Sequence, residues 1–338
     1  MEFIGLDIGT VGIKLVKVKK TGNDRFRLEA AGVAASPAGG MLSDSEQGLL
    51  NVAEVVKKLL AEVKSTTKQV VTALPESEVF TRIVVMPKMS KSELDSAINW
   101  EAEQNIPLPL SEVNYSYTIV DNLENGSMEV MVVAAPKRLV EKYEKVLALA
   151  ELIPVGMETE LLAGSRALIT KQQQGLTMIL VMGARTCDVG IVKQEKLVFT
   201  RSIASAGEAL SRALMTNLQL DSAQAESFKR TYGLFSNQLE GKVALAMQPV
   251  VEVLLREVKR TVSFYESKAA GQKVKTAILI GGSANLPGLA PVLTNGLGLE
   301  VQIGNVLAKI EQAHRGVNIL PEVLPQYGVA MGLAMKEV

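Results

Sequence analysis

One cysteine, one tryptophan and no net charge frame what this 338-residue sequence can be. A lone Cys187 forbids any intrachain disulfide, so the fold stands without covalent cross-links and a reducing compartment is its natural setting. Lysine plus arginine and aspartate plus glutamate number 36 each and cancel. With neither a basic tail nor an acidic block, nucleic acid is not the expected partner. No apolar run approaches the roughly 18 residues that would cross a bilayer. The N-terminus lacks the charged region, apolar stretch and small-residue cleavage site of a secretory signal. The expectation is a cytoplasmic protein that meets a membrane only through a partner.

What is present is a sizeable core. Apolar residues make up 47% and charged residues 21%, in a length that fits two domains or one large domain split by insertions. "EFIGLDIG", "IKLVKVKK" and "RFRLEAAGVA" read as three strands, followed by a helix with Leu49, Val52, Val56, Leu59, Leu60 and Val63 on one face and a short strand "QVVTAL". From Val79 to about Ala150 the texture changes. A strand "VFTRIVVMP", a helix opened by the capping box "SKSE" and ended before Pro107, two strands around an Asn-Gly turn at Asn125 and a last helix make a βαββα unit inserted into something larger. After Pro154 a helix leads into strand, glycine turn and strand again around Gly183, echoing the opening turn at Gly9 and pointing to a duplicated α/β half. Helical segments, the strand-turn-helix "TAILIGGSANLPGL" and a small-residue helix "QYGVAMGLAM" complete the chain. No linker separates these pieces, so they pack as one body.

Four stretches can carry chemistry, and each has a bland alternative. In "DIGTVGIK", Asp7 at a strand end can hold the water shell of Mg²⁺, the turn Gly9, Thr10, Val11 offers backbone amides to phosphate oxygens, and Lys14 adds a point charge. An ordinary hairpin with a surface lysine fits as well. "MGARTCD" places Gly183, Ala184, Arg185 and Thr186 in a matching turn, with Met182 read as the counterpart of Asp7; this too can be a plain hairpin. Gly281, Gly282 and Ser283 after "TAILI" suit a base or ribose lying on bare backbone, or simply a common turn. Glu208, with Glu226 and Lys229 a helical turn apart, can bond ribose and flank a base, or be surface pairs.

In this order and spacing the four stretches resemble the actin-like ATPase clamp, a ribonuclease H-like duplicated two-lobed α/β fold. Within that superfamily "LPESEVFTRIVVMPKMSKSELDSAINWEAEQNIPLPLSEVNYSYTIV" and "VVAAPKRLVEKYEKVLALAELIPVGMETELLAGSRAL" resemble the PilM family of type IV pilus assembly, over nearly the whole chain. The resemblance implies a first lobe of 1–78 with 151–174 and 312–338, an inserted subdomain of 79–150, a second lobe of 175–205 with 262–311 and a helical segment of 206–261. It implies ATP and Mg²⁺ between the lobes, with Asp7, Gly9, Thr10, Val11 and Lys14 on the first phosphate loop and Gly183, Arg185 and Thr186 on the second. Glu208, Glu226 and Lys229 then lie toward ribose and base, Gly281, Gly282 and Ser283 close the pocket, and Asp7 meets Mg²⁺ through water. It also implies a groove beside the inserted subdomain for the cytoplasmic N-terminal peptide of a PilN-like inner-membrane protein, contacts with pilus motor and platform proteins, and self-association.

Trp100, in "AINWEAEQNIP", is either an exposed anchor for that partner or a core aromatic. Because Met182 leaves the second loop without its usual acid, slow or absent hydrolysis is expected, with Glu158 as the candidate to orient an attacking water. Two alternatives follow from the fold. An actin-fold small-molecule kinase needs a carboxylate base near an acceptor hydroxyl, and no such motif stands out. An FtsA-like polymerising division protein usually ends in a membrane helix, whereas "GLAMKEV" is expected to close the core.

Overall fold

The computed structural model describes residues 2–123, 126–171, 173, 175–269, 271–314, 317 and 319–337. The opening alternation of apolar residues forms β1 (Ile4–Ile8), β2 (Gly12–Gly22) and β3 (Arg25–Ala35), an antiparallel run. Helix α1 (Glu46–Glu62) begins at Ser45, whose hydroxyl accepts the Gly48 N–H at 3.1 Å, and buries Leu49, Val52, Val56 and Leu59. Strand β4 (Gln69–Leu74) then pairs parallel with β1.

The inserted stretch runs β5 (Phe80–Pro87), α2 (Lys91–Asn105), β6 (Val113–Asn122), β7 (Ser127–Pro136) and α3 (Lys137–Leu149). Its strands form a separate sheet in the order β5-β7-β6. The capping box is present: the Ser90 N–H donates to Glu93 Oε2 at 2.8 Å and the Glu93 N–H to Ser90 Oγ at 3.4 Å. Asn125 of the expected turn lies outside the described residues, while Gly126 beside it takes φ 79°. Leu94 and Ile98 of α2 pack on Met128, Val130 and Val132 of β7. The other face of this sheet meets the second lobe, because Val120 and Met131 join that lobe's core. Helix α3 turns Leu139, Tyr143, Val146 and Leu147 toward α1 and the first sheet.

A strand absent from the sequence reading follows. β8 (Ile153–Thr159) pairs parallel with β4 at the edge of the first sheet, ahead of α4 (Glu160–Leu168). Pro154 and Gly156 hide it, being residues that only an edge strand tolerates readily. The second lobe repeats the first. β9 (Leu176–Met182), β10 (Cys187–Lys193) and β11 (Lys196–Ile203) run antiparallel. Helices α5 (Gly207–Leu218), α6 (Ser222–Tyr232) and α7 (Lys242–Glu266) precede β12 (Val274–Ile280), parallel to β9 as β4 is to β1. α8 (Leu289–Leu297), β13 (Glu300–Ile303), β14 (Ile310–Ala313) and α9 (Gly328–Ala334) follow. The sheet orders are β14-β3-β2-β1-β4-β8 and β11-β10-β9-β12-β13, so β14 returns the chain to the first sheet.

The small residues of α9 have a steric reason. A Cβ on Gly332 would overlap the Ala163 carbonyl of α4, and one on Gly5 would overlap the Ala330 carbonyl of α9. α9 is thereby pressed between β1 and α4, at the junction of the lobes.

Candidate functional site

The two glycine turns superimpose by register. In the first, the Gly9 N–H donates to the Gly12 carbonyl at 3.1 Å, and Ile8 and Asp7 stand opposite Ile13 and Lys14. In the second, the Gly183 N–H donates to the Thr186 carbonyl at 2.9 Å, and Met182 and Val181 stand opposite Cys187 and Asp188. Gly9 therefore matches Gly183, and the counterpart of Asp7 is Val181; Met182 matches Ile8. This corrects the sequence alignment by one residue. The second hairpin does carry an acid, but across the turn: Asp188 occupies the place of Lys14. Cys187, beside it, is fully buried in the core with its thiol pushed up by burial, a packing residue.

On the first hairpin Lys14 Nζ donates to Asp7 Oδ2 at 3.1 Å, with both side chains largely buried. Thr10 and Val11 form the tip, and Val11 is exposed. The Ser36 hydroxyl donates to the Gly9 carbonyl at 2.6 Å and holds the turn from behind.

The second hairpin, the late glycine turn and two helices form one bonded set. Ser283 Oγ donates to the Gly183 carbonyl at 2.8 Å, and its N–H to the Met182 carbonyl at 3.0 Å. At the start of α5 the Gly207 and Glu208 N–H groups donate to the Gly183 and Ala184 carbonyls at 3.3 and 2.7 Å. The buried Lys229 amine of α6 donates to the Gly207 carbonyl, Ser211 Oγ and Glu226 Oε2 at 3.1, 2.8 and 2.6 Å. Glu226 also accepts from Ser211 and Arg230. Burial raises its pKa, but Lys229 and Arg230 outweigh this and hold the carboxyl below its usual range. Gly281 takes φ 99°, and its missing Cβ would strike the Met182 backbone, whereas a Cβ on Gly282 would point into open space. Arg185 is exposed at the second tip.

Glu158 does not have the freedom a water-orienting residue needs. It is buried at the end of β8, and both its oxygens are taken: Oε1 by Arg166 at 2.5 Å, Oε2 by Arg166 at 2.9 Å and Lys336 at 2.6 Å. It is a structural clamp that ties β8, α4 and the segment after α9 together. The neighbouring acid, Glu160, two residues on, opens α4 and lies among other carboxyls. Burial raises its pKa well above the ordinary value, and the charges of Asp188, Asp7 and Glu76 push it further. It thus senses the strands behind both turns. Asp188 is also raised by burial, against the opposing bonds from Ser202 and Thr186. Among the described residues, no three such groups converge closely enough to hold a metal ion directly.

A second feature lies on the inserted subdomain. A cavity of about 290 Å³ opens between β5 and α2, lined by Phe80, Arg82, Val84, Ala102, Asn105 and Ile106. Trp100 on α2 is 61% exposed, which removes the core alternative for it.

Residues 5–338 match the family described as type IV pilus assembly protein PilM. The chain belongs to the PilM family. The structure is similar to that of a PilM-PilN type IV pilus biogenesis complex, with 28% identity over 99% of this chain and 98% of the other and a TM-score of 0.85. The fold is also that of two more distant proteins. The ethanolamine utilization protein EutJ from Carboxydothermus hydrogenoformans has 18% identity over 99% of this chain and 89% of that one, with a TM-score of 0.61. MreB5 of Spiroplasma citri bound to ADP has 13% identity over 99% and 95%, with a TM-score of 0.54. The actin-like two-lobed fold and the place of this PilM-family chain in type IV pilus assembly are thereby established. Among the described residues no helix is long and apolar enough to cross a membrane.

Sequence reasoning missed Glu160 and Asp188. Asp188 could have been found by counting from Gly183 as Lys14 is counted from Gly9. Glu160 had no such signal, because β8 was not recognised and the start of α4 was therefore misplaced.

Proposed function

We propose that this PilM-family protein is a nucleotide-binding adaptor that takes ATP between its lobes and presents a groove on the inserted subdomain to a short peptide. The peptide is the cytoplasmic N-terminus of a PilN-like inner-membrane protein, and through it the protein is held peripheral to that membrane and linked to pilus motor and platform proteins. The observation that carries the nucleotide half is the bonded set around Gly183, Ser283, Gly207 and Lys229, closed by Gly281, where a Cβ would strike backbone, and open beside Gly282.

The residues fit the groups they would hold. Thr10 and Val11 would meet phosphate oxygens by backbone amides, and Lys14 would bring its charge. Glu226, Lys229, Ser283 and Gly282 would face ribose and base, with Glu208 at their edge; Arg185 and Thr186 would complete the second turn. Asp7 would hold Mg²⁺ through water, in keeping with that ion's preference for few protein ligands. When bound, the ion supplies charge neutralisation for the phosphates.

Hydrolysis is slow or absent in this reading. Val181 puts an apolar side chain where the first hairpin has Asp7. Burial and the charges of Asp188, Asp7 and Glu76 hold the Glu160 carboxyl well above its ordinary value, which disfavours the charged form a general base needs. Nucleotide would act by favouring one closure of the lobes through differential affinity.

Calorimetric titration with ATP–Mg²⁺, with and without a synthetic N-terminal peptide of the candidate partner, tests the proposal. Saturable binding of both supports the adaptor. Peptide binding without nucleotide binding would reduce the clamp to scaffold, and binding of neither would overturn the proposal. Unchanged peptide affinity in nucleotide-free Lys14→Ala would remove the coupling between cleft and groove.

A further inference from the structure

Glu76 lies in the turn between β4 and β5, where the chain leaves the first sheet for the inserted subdomain. It is 4% exposed, and its Oε2 has no hydrogen-bond partner. Its Oε1 accepts from Thr81 Oγ1 at a limiting 3.5 Å. The Thr159 and Thr200 hydroxyls and the Leu161 N–H border the carboxyl and favour its charged form, yet none bonds Oε2. A buried oxygen left in this state is costly if charged.

The titratable neighbours come from every element packed around it. Glu160 of α4 accepts the Glu76 N–H at 3.5 Å, and Asp188 of β10 acts on Glu76 by its charge. Behind Glu160 stand Asp7 of β1, bonded by Lys14, and the buried Tyr143 of α3, whose hydroxyl is held neutral. Among the described residues no cation pairs with Glu76, Glu160 or Asp188. Three carboxyls therefore meet where the first lobe, the inserted subdomain and the second lobe join, and they cannot all be charged at once.

We propose that Glu76 is a protonation switch for the inserted subdomain: neutral Glu76 seats it against β11 of the second lobe, and ionised Glu76 drives it off. Burial first, and then Asp188, push the Glu76 carboxyl up from 4.5 to about 7. The seated state thus binds a proton that the opened, solvated state releases. Seating is strongest in acid, weakens as pH rises above 4.5, and reaches its lowest level above about 7. Within that window each proton released on opening raises the opening constant by up to about tenfold per pH unit. Because Thr81 both bonds Glu76 and lines the groove, the groove changes with it, whatever it binds.

Hydrogen exchange of the full chain, corrected for intrinsic rates and followed from about pH 5 to pH 8, tests this. In peptides covering 75–82 and 198–203, opening is expected to rise at least about tenfold across that range. Glu76→Gln, neutral at every pH, is expected to open at least about tenfold less than the natural protein at pH 8. A natural protein whose opening does not change with pH, or a Glu76→Gln variant that opens as readily at pH 8, overturns the switch. If the variant does not fold, the carbon NMR titration of the Glu76 carboxyl decides. A midpoint within about one unit of 7 supports the proposal, and a midpoint at the ordinary glutamate value refutes it.

Discussion

Replacing Glu158 with glutamine removes the negative charge that Arg166 and Lys336 share, without changing the size of the side chain. Glu158 is 4% exposed, while the two cations are 28% and 27% exposed. Breaking a fully buried pair costs about 3–5 kcal/mol; here water can re-solvate the cations in part, so about 2–3 kcal/mol is expected. The amide keeps one acceptor oxygen, so Arg166 would retain a neutral hydrogen bond there besides the Gly332 carbonyl at 2.8 Å, while both cations lose their counter-charge. With a urea m-value of about 3 kcal/mol per M or more, the unfolding midpoint falls by at most about 1 M at unchanged slope. Burial raises the Glu158 carboxyl, but Arg166 and Lys336 outweigh it and hold it below its ordinary value. The stability it supplies is therefore present above the ordinary glutamate value and is lost as pH falls through the lowered one, so the deficit of the variant shrinks in acid. Urea unfolding of both proteins at pH 7 and at about pH 3 reads this directly. Equal midpoints at pH 7 would refute the clamp. A variant of native stability that loses ATP turnover would return Glu158 to the chemistry.

Lys229→Met removes an amine with three acceptors and separates α6 from α5; nucleotide affinity measured by calorimetry should fall at least about tenfold, leaving Glu226 without its nearest counter-charge. Gly332→Ala places a methyl against the Ala163 carbonyl and should lower stability by about 1–3 kcal/mol or more, read as a lower thermal midpoint. Cys187 should stay unreactive toward a thiol reagent in the folded protein and react at once in denaturant. If α2 borders the peptide site, Trp100 fluorescence should be water-quenched in the free protein and shift to the blue as peptide is added, while a peptide that binds without moving it would place the groove elsewhere. Val181→Asp restores an acid opposite Asp188, and an increase in slow ATP turnover would confirm that the apolar residue at this place limits hydrolysis.

The amino-acid sequence by itself determined the local elements and their order. Period-two alternation produced β1 to β3, the Ser90–Glu93 box opened α2, and the small residues of "GVAMGLA" marked a helix that must approach other backbone closely. Such features act through neighbours in the chain, so they can be read from spacing. β8 was not legible because an edge strand with Pro154 and Gly156 lacks the pattern that marks a strand. That Glu158 is neutralised by Arg166 and Lys336, while Glu160 two residues on lies near Asp7 and Asp188, is set by partners far along the chain. The one-residue register that matches Asp7 with Val181 is a property of cross-strand pairing, which only the folded hairpins display. The meeting of Glu76, Glu160 and Asp188 likewise exists only in three dimensions, because burial and mutual repulsion depend on distances that the order of residues does not contain.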